Sequence, residues 1–150
     1  MPSRRLFLSV VAMLLVAFTA SARADAPVFY STNGAAINGY DAVAYFTAGA
    51  PVKGRSDFAV MWKGAIWQFS SLQNREAFEA DPRSFAPQYG GYCAYAMSLG
   101  RHVSTAPEAW SIVAGKLYLI HTTAVRRLWA RDIGGNIARA DANWPGALRD

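Results

Sequence analysis

Four side chains in this sequence have the chemistry to hold a soft metal or to attack an electrophile: Cys93, Met97, His102 and His121. Cys93 is the only cysteine. Gly90-Gly91 permits a tight turn, and Tyr92 to Leu99 contains no helix breaker before Gly100, so Cys93 and Met97 are expected one helical turn apart. Thiolate, thioether and imidazole form a credible copper(I) set, with zinc the other candidate. His121, directly after a strand-like run, is the better-placed imidazole, whereas His102 lies in a polar loop beside Arg101. A second chemistry uses Cys93 alone. In the first turn of a helix, main-chain N–H groups favour a thiolate nucleophile. With no second cysteine to resolve it, that nucleophile would form adducts or react with peroxide, without a thioredoxin-like cycle. The third reading is inert: Cys93 packs as a small apolar side chain, and Met97 fills space beside it.

Other chemistries lack their residues. There is no Gly-x-Ser-x-Gly elbow, no phosphate-cradling glycine loop and no His-Glu-x-x-His pair. Glu76 and Glu79 fall on a helix face, and Glu108 sits in a capping-box pattern with Thr105. These absences favour a non-catalytic module over an enzyme. Trp62, Trp67 and Trp110, on expected strands, could floor a ligand pocket.

The elements that must position these groups are legible in the alternation. Phe58, Val60 and Trp62 alternate with Ala59 and Met61, Lys63-Gly64 turns, and Trp67 and Phe69 alternate with Ile66 and Gln68, which predicts a β-hairpin. Ser70-Ser71-Leu72-Gln73 then caps a helix that carries Ala77 and Phe78 inward and stops near Asp81-Pro82. The same order returns in Trp110 to Val113, the turn at Ala114-Gly115, Lys116 to Ile120, and a helix capped by Thr122 or Thr123. That helix carries Val125, Leu128, Trp129 and Ile133 at helical spacing. A constant offset of 51 residues superimposes Gly64 on Gly115, Trp67 on Tyr118, Phe69 on Ile120, Ser70 on His121, Arg75 on Arg126, Phe78 on Trp129 and Asp81 on Asp132. Two strand-strand-helix units in one α+β domain follow, either by duplication or by convergent hairpin-helix grammar. Asp41 caps a short helix through Phe46. Gly134-Gly135 ends the second unit's helix, and a last helix docks through Trp144.

Residues 1–24 read as an export signal. Arg4 and Arg5 precede an apolar run from Leu6 to Phe18 broken only by Ser9, and Ala22-Arg23-Ala24 places small residues at a cleavage site between Ala24 and Asp25. That run is too short to span a bilayer. Ser3-Arg4-Arg5-Leu6-Phe7-Leu8 resembles the twin-arginine signature, an ordinary signal peptide being the alternative. The expected product is periplasmic or secreted, with an arm at 25–37, a domain at 38–145 and a tail at 146–150. The chain has 15 Lys and Arg against 10 Asp and Glu. Three of the basic residues lie in the removed segment, so the remainder is close to neutral and lacks the clustered basic face of a nucleic-acid binder.

From about Asn38 to Pro145 the chain resembles the YHS domain family, in particular its small exported members. The resemblance rests on Gly39-Tyr40-Asp41 with Val43-Ala44-Tyr45-Phe46, on Trp67-Gln68-Phe69-Ser70-Ser71 with Asn74-Arg75, Phe78 and Asp81-Pro82, and on Tyr89-Gly90-Gly91-Tyr92-Cys93-Ala94-Tyr95-Ala96. Glu108-Ala109-Trp110, Gly115-Lys116-Leu117-Tyr118-Leu119 and the Arg-rich stretch from Ala124 to Ile133 complete it. It implies a treble-clef-like fold, with a short cysteine-bearing helix between the two units and a C-terminal helix. The metal-binding members have cysteines where this chain has Ala44, Ser70 and Asn74, so their metal site is not implied here. The two histidines stand outside that pattern. The combined expectation is an exported, non-catalytic YHS-like module that binds copper, zinc or a small ligand near Cys93. The alternatives are a thiol redox protein and an interaction domain in which Cys93 is buried.

Overall fold

The computed structural model describes residues 24–149. Residues 1–23, which hold the expected export signal up to its last residue, lie outside that range. Among the described residues no helix is long and apolar enough to cross a membrane.

The fold is α+β. Two short strands, β1 (Ser31–Thr32) and β2 (Ala35–Ala36), lead into α1 (Ala44–Thr47). A hairpin of β3 (Arg55–Trp62) and β4 (Ala65–Phe69) follows, then α2 (Leu72–Ala80) and α3 (Pro82–Phe85). The second half contains α4 (Ala94–Ser98), a hairpin of β5 (Ala106–Val113) and β6 (Lys116–Ile120), α5 (Thr123–Trp129) and α6 (Ile133–Asn143). One sheet runs β1-β2-β4-β3 and the other is the β5-β6 pair.

The halves repeat in register as well as in order. Val60 pairs with Trp67 and Met61 with Ile66 in the first hairpin, as Ser111 pairs with Tyr118 and Ile112 with Leu117 in the second, 51 residues on. The same irregularity interrupts both, between Arg55 and Ala59 and between Ala106 and Trp110. Both turns put two residues at positive φ, Lys63 and Gly64 in one and Ala114 and Gly115 in the other, the pattern that follows strand twist. Ser71 and Thr122, also 51 apart, cap α2 and α5 by accepting the N–H of Asn74 and Val125. Asp81 and Asp132 cap α3 and α6 in the same way.

What breaks the symmetry is burial. β6 lies between two cores. Leu117 and Leu119 face the first with Ile37, Val43, Trp67, Phe69 and Phe78, while Tyr118 and Ile120 face the second with Tyr92, Met97 and Trp129. A strand buried on both faces reads as a continuous apolar run, as Leu117 to Ile120 does.

Several expected boundaries move, each for a local reason. Ser70 does not cap α2, because its hydroxyl and N–H both go to Asp41. Gly134-Gly135 opens α6 instead of closing α5: the Asp132 carboxylate folds over the Gly135 N–H, where a Cβ would overlap it. Thr105 and Glu108 form no capping box. Glu108 lies in β5, and the Thr105 hydroxyl donates to Gly91 O at 2.9 Å. Leu128 points outward, at 39% exposure. The segment expected as an arm is built in, with Phe29 and Ile37 in the first core and Ala35 paired to Ile66. Ala147 and Leu148, expected in a tail, belong to the second core.

Candidate functional site

Each half is closed by a knuckle that begins with three consecutive residues in left-handed backbone. Ile37, Asn38 and Gly39 have φ of 46, 60 and 74°, and Tyr89, Gly90 and Gly91 have 56, 62 and 83°. A β-branched residue is strained in that region, so the turn persists only because its surroundings impose it. The next residue is Tyr40 or Tyr92, and after it comes a polar side chain that turns back on the backbone.

In the first half that side chain is Asp41, which is 0% exposed. Its Oδ1 accepts the N–H groups of Val43 at 2.9 Å and Ala44 at 3.0 Å. Its Oδ2 accepts the Ser70 N–H at 2.8 Å, the Ser70 hydroxyl at 2.6 Å and the Asn74 amide at 2.8 Å. Asp41 thus ties the knuckle to the end of β4 and the start of α2. The lone pairs that a cation would use are already engaged.

In the second half the equivalent side chain is Cys93, 1% exposed. It is the N-cap of α4, one position earlier than the first-turn place expected for it. Sγ accepts the Ala96 N–H at 3.5 Å and the His121 N–H at 3.3 Å. These are the counterparts of the Asp41 contacts with Ala44 and with Ser70. The Cys93 N–H donates to Val103 O at 3.0 Å, and the sulfur lies in the core with Tyr92, Met97, Tyr118 and Trp129.

The four expected metal ligands are not gathered around one point. Met97 is fully buried beside Cys93. His121 approaches the sulfur through its main-chain N–H, and its ring turns to Ser104, with Nδ1 2.9 Å from the carbonyl oxygen. His102 directs Nδ1 to Ala147 O at 2.8 Å and lies edge-on to Tyr92. A carbonyl oxygen only accepts, so Nδ1 of His102 carries the proton; His121 Nδ1 also lies 3.3 Å from the Ser104 hydroxyl, which can donate to it. Among the described residues no three His, Cys, Asp or Glu side chains form a group that could hold a metal ion. Ser70 and Asn74 do meet, with Ala44, around Asp41. Ala24 and Asp25, the expected cleavage pair, are both exposed.

The correspondence of Asp41 and Cys93 escaped the sequence reading, although its signal is present. Gly39-Tyr40-Asp41-Ala42-x-Ala44 and Gly91-Tyr92-Cys93-Ala94-x-Ala96 differ only at the polar position and lie 52 residues apart. The offset of 51 that aligns the hairpins misses them by one residue.

Of the three tryptophans considered for a ligand floor, Trp67 is core, stacked on Phe78, and Trp110 packs edge-on against Tyr45. Trp62 reaches two grooves, one formed with Phe29, Lys63, Arg83, Gln88 and Trp144 and a second formed with Val60, Met61, Phe78, Glu79 and Pro82.

Tyrosines stitch the halves together and shape the response to alkali. Tyr45 donates to Pro107 O at 2.8 Å, Tyr92 to Pro27 O at 2.7 Å and Tyr89 to the Asp141 carboxylate at 2.8 Å. Burial raises the pKa of all three, and of Tyr118; the Asp141 carboxylate raises Tyr89 further. A phenol whose folded pKa lies above its unfolded value near 10 lends stability that is complete below about pH 10 and falls as pH rises beyond it. The tyrosinate absorbance of these four is therefore expected to rise in step with loss of the far-ultraviolet dichroism above that pH. Ionisation of Tyr45, Tyr89, Tyr92 and Tyr118 near pH 10 with the fold intact would contradict these placements.

No family model, curated protein or solved structure matches the chain.

Proposed function

We propose that this protein is an exported, non-catalytic binding module of the YHS type, treble-clef-like, in which both knuckles are closed from within. The observation that carries this is the equivalence of Asp41 and Cys93. Each is buried at the same place in its half, and each accepts an N–H three residues on and the N–H of the residue that follows its hairpin. Cys93 is then an internal tie like Asp41, and binding is left to the surface. Of the three roles open to the cysteine, packing fits this geometry best. Copper or zinc capture at Cys93 would need the ring of His121 or His102 to leave its carbonyl partner and turn towards the sulfur. A redox role would need the knuckle to open.

The test compares the protein with its Cys93→Ala variant in titrations with copper(I) and with zinc. Equal uptake by the two, with the variant less stable by about 1–3 kcal/mol from a small cavity and two N–H groups left without an acceptor, is the expected result. Uptake by the parent protein that disappears in the variant, with a thiolate-to-metal absorption band, would return Cys93 to the role of ligand.

A further inference from the structure

Several residues that hold the fold keep their type 51 positions apart, so a place where the halves instead diverge in exposed charge is a candidate for a role of its own. One such place is the groove at the first hairpin turn. Its volume is about 270 Å³, near the small end of ligand sites, which run from roughly 300 to 1,000 Å³. Trp62, Lys63 and Arg83 line it. Their counterparts in the second half are Val113, Ala114 and Gly134. Around them Gly64 and Gly115, Ser71 and Thr122, and Asp81 and Asp132 keep their type. Trp62 is also held by packing, its ring centre 5.4 Å from that of Phe29, 5.8 Å from that of Trp67 and 5.6 Å from that of Phe78, so the divergence that packing does not call for is the pair of exposed cations, Lys63 and Arg83.

The walls point to one kind of occupant. Trp62 and Trp144 supply two half-buried aromatic surfaces. The Lys63 ammonium sits 4.8 Å from the centre of the Trp62 ring. Neither Lys63 nor Arg83 has a carboxylate partner among the described residues, and no acidic side chain among them lines the groove. Gln88 adds an amide. One wall is fixed, because the arm is seated by Tyr30 N–H donating to Gly90 O at 2.8 Å. Two indoles favour a flat ring, and two unpaired cations favour an anion attached to it, the guanidinium being suited to bidentate recognition of a carboxylate.

We propose that this groove binds a small aromatic carboxylate, its ring between Trp62 and Trp144 and its anion at Lys63 and Arg83. This specifies the ligand of the binding module proposed above and rests on that reading. The test is calorimetric titration of the purified protein with indole-3-acetate, indole-3-acetamide and acetate, with the tryptophan indole N–H signals followed by NMR. Expected are saturable binding of indole-3-acetate that shifts the Trp62 and Trp144 signals, affinity for the amide at least tenfold lower, and no binding of acetate. Lys63→Ala and Arg83→Ala, both at exposed positions, should each weaken binding at least fivefold, whereas Lys116→Ala on the other hairpin should leave it unchanged. No saturation at millimolar indole-3-acetate, equal affinity for acid and amide, or shifts confined to other tryptophans would overturn the proposal. The Cys93→Ala variant separates this claim from the preceding one. It should bind indole-3-acetate normally even if Cys93 proves to take a metal, and loss of binding in the folded variant would place the ligand at the knuckle and overturn the groove.

Discussion

Asp41→Ala is expected to destabilise the protein by about 4 kcal/mol, near the whole stability of a small domain, which is of order 5–15 kcal/mol. The carboxylate accepts five hydrogen bonds, and its removal strands two N–H groups of the first knuckle, the N–H and hydroxyl of Ser70 and the Asn74 amide. Each buried donor left without a partner costs about 1–3 kcal/mol, reduced where water enters the space or the hydroxyl rotates. Asp41→Asn keeps the shape but turns an NH₂ towards N–H donors, so it should recover only part of the loss. Urea unfolding followed by dichroism measures both. A loss below about 1 kcal/mol for the alanine variant would mean that the knuckle is held by something other than this carboxylate.

The second large effect is expected at Gly90. A Cβ there would overlap the Val28 carbonyl oxygen, and φ is 62°. Left-handed backbone alone costs an L-residue about 1–2 kcal/mol. The clash with main-chain atoms cannot be relieved by rotating a side chain, so Gly90→Ala should cost about 3 kcal/mol or more and unseat the arm. Gly64→Ala is the matched control. Its φ is 80° and nothing lies within 4 Å of the added methyl, so only the backbone cost applies. The difference between the two variants reads the arm's contribution, and limited proteolysis near Val28 should quicken only in Gly90→Ala. Equal losses would show that the arm is not pinned at Gly90.

These two positions show what could and could not be read from the chain. The hairpins were legible because Val60, Trp62, Trp67 and Phe69 alternate with their neighbours and each pair of strands is joined by a residue-plus-glycine turn. The repeat was legible for a related reason, since Gly64 and Gly115 or Asp81 and Asp132 answer a geometric need that few residues meet. The helix ends were not. Gly134-Gly135 has the composition of a stop, and only the fold of Asp132 over Gly135 turns it into a start. The arm was not legible either, because Phe29 and Ile37 are isolated apolar residues whose burial depends on distant partners. At the site, the short helix before Gly100 was legible from its lack of a breaker, with Cys93 at its N-cap, one position before the expected first turn. The burial of Cys93 came from elements 25 or more residues away, Tyr118, His121 and Trp129, which no local pattern reveals. The groove was legible only as Trp62, because Arg83 and Trp144 reach it from other elements.

The central claim is that the Cys93 sulfur is an internal tie, closed to solvent in the folded protein. Alkylation by iodoacetamide at neutral pH, followed by mass spectrometry across a urea series, tests it most directly. The account predicts negligible modification without denaturant, a rate that climbs with the unfolded fraction, and one adduct per chain once unfolded. Modification of the native protein at the rate of an unhindered thiol, independent of urea, would contradict it.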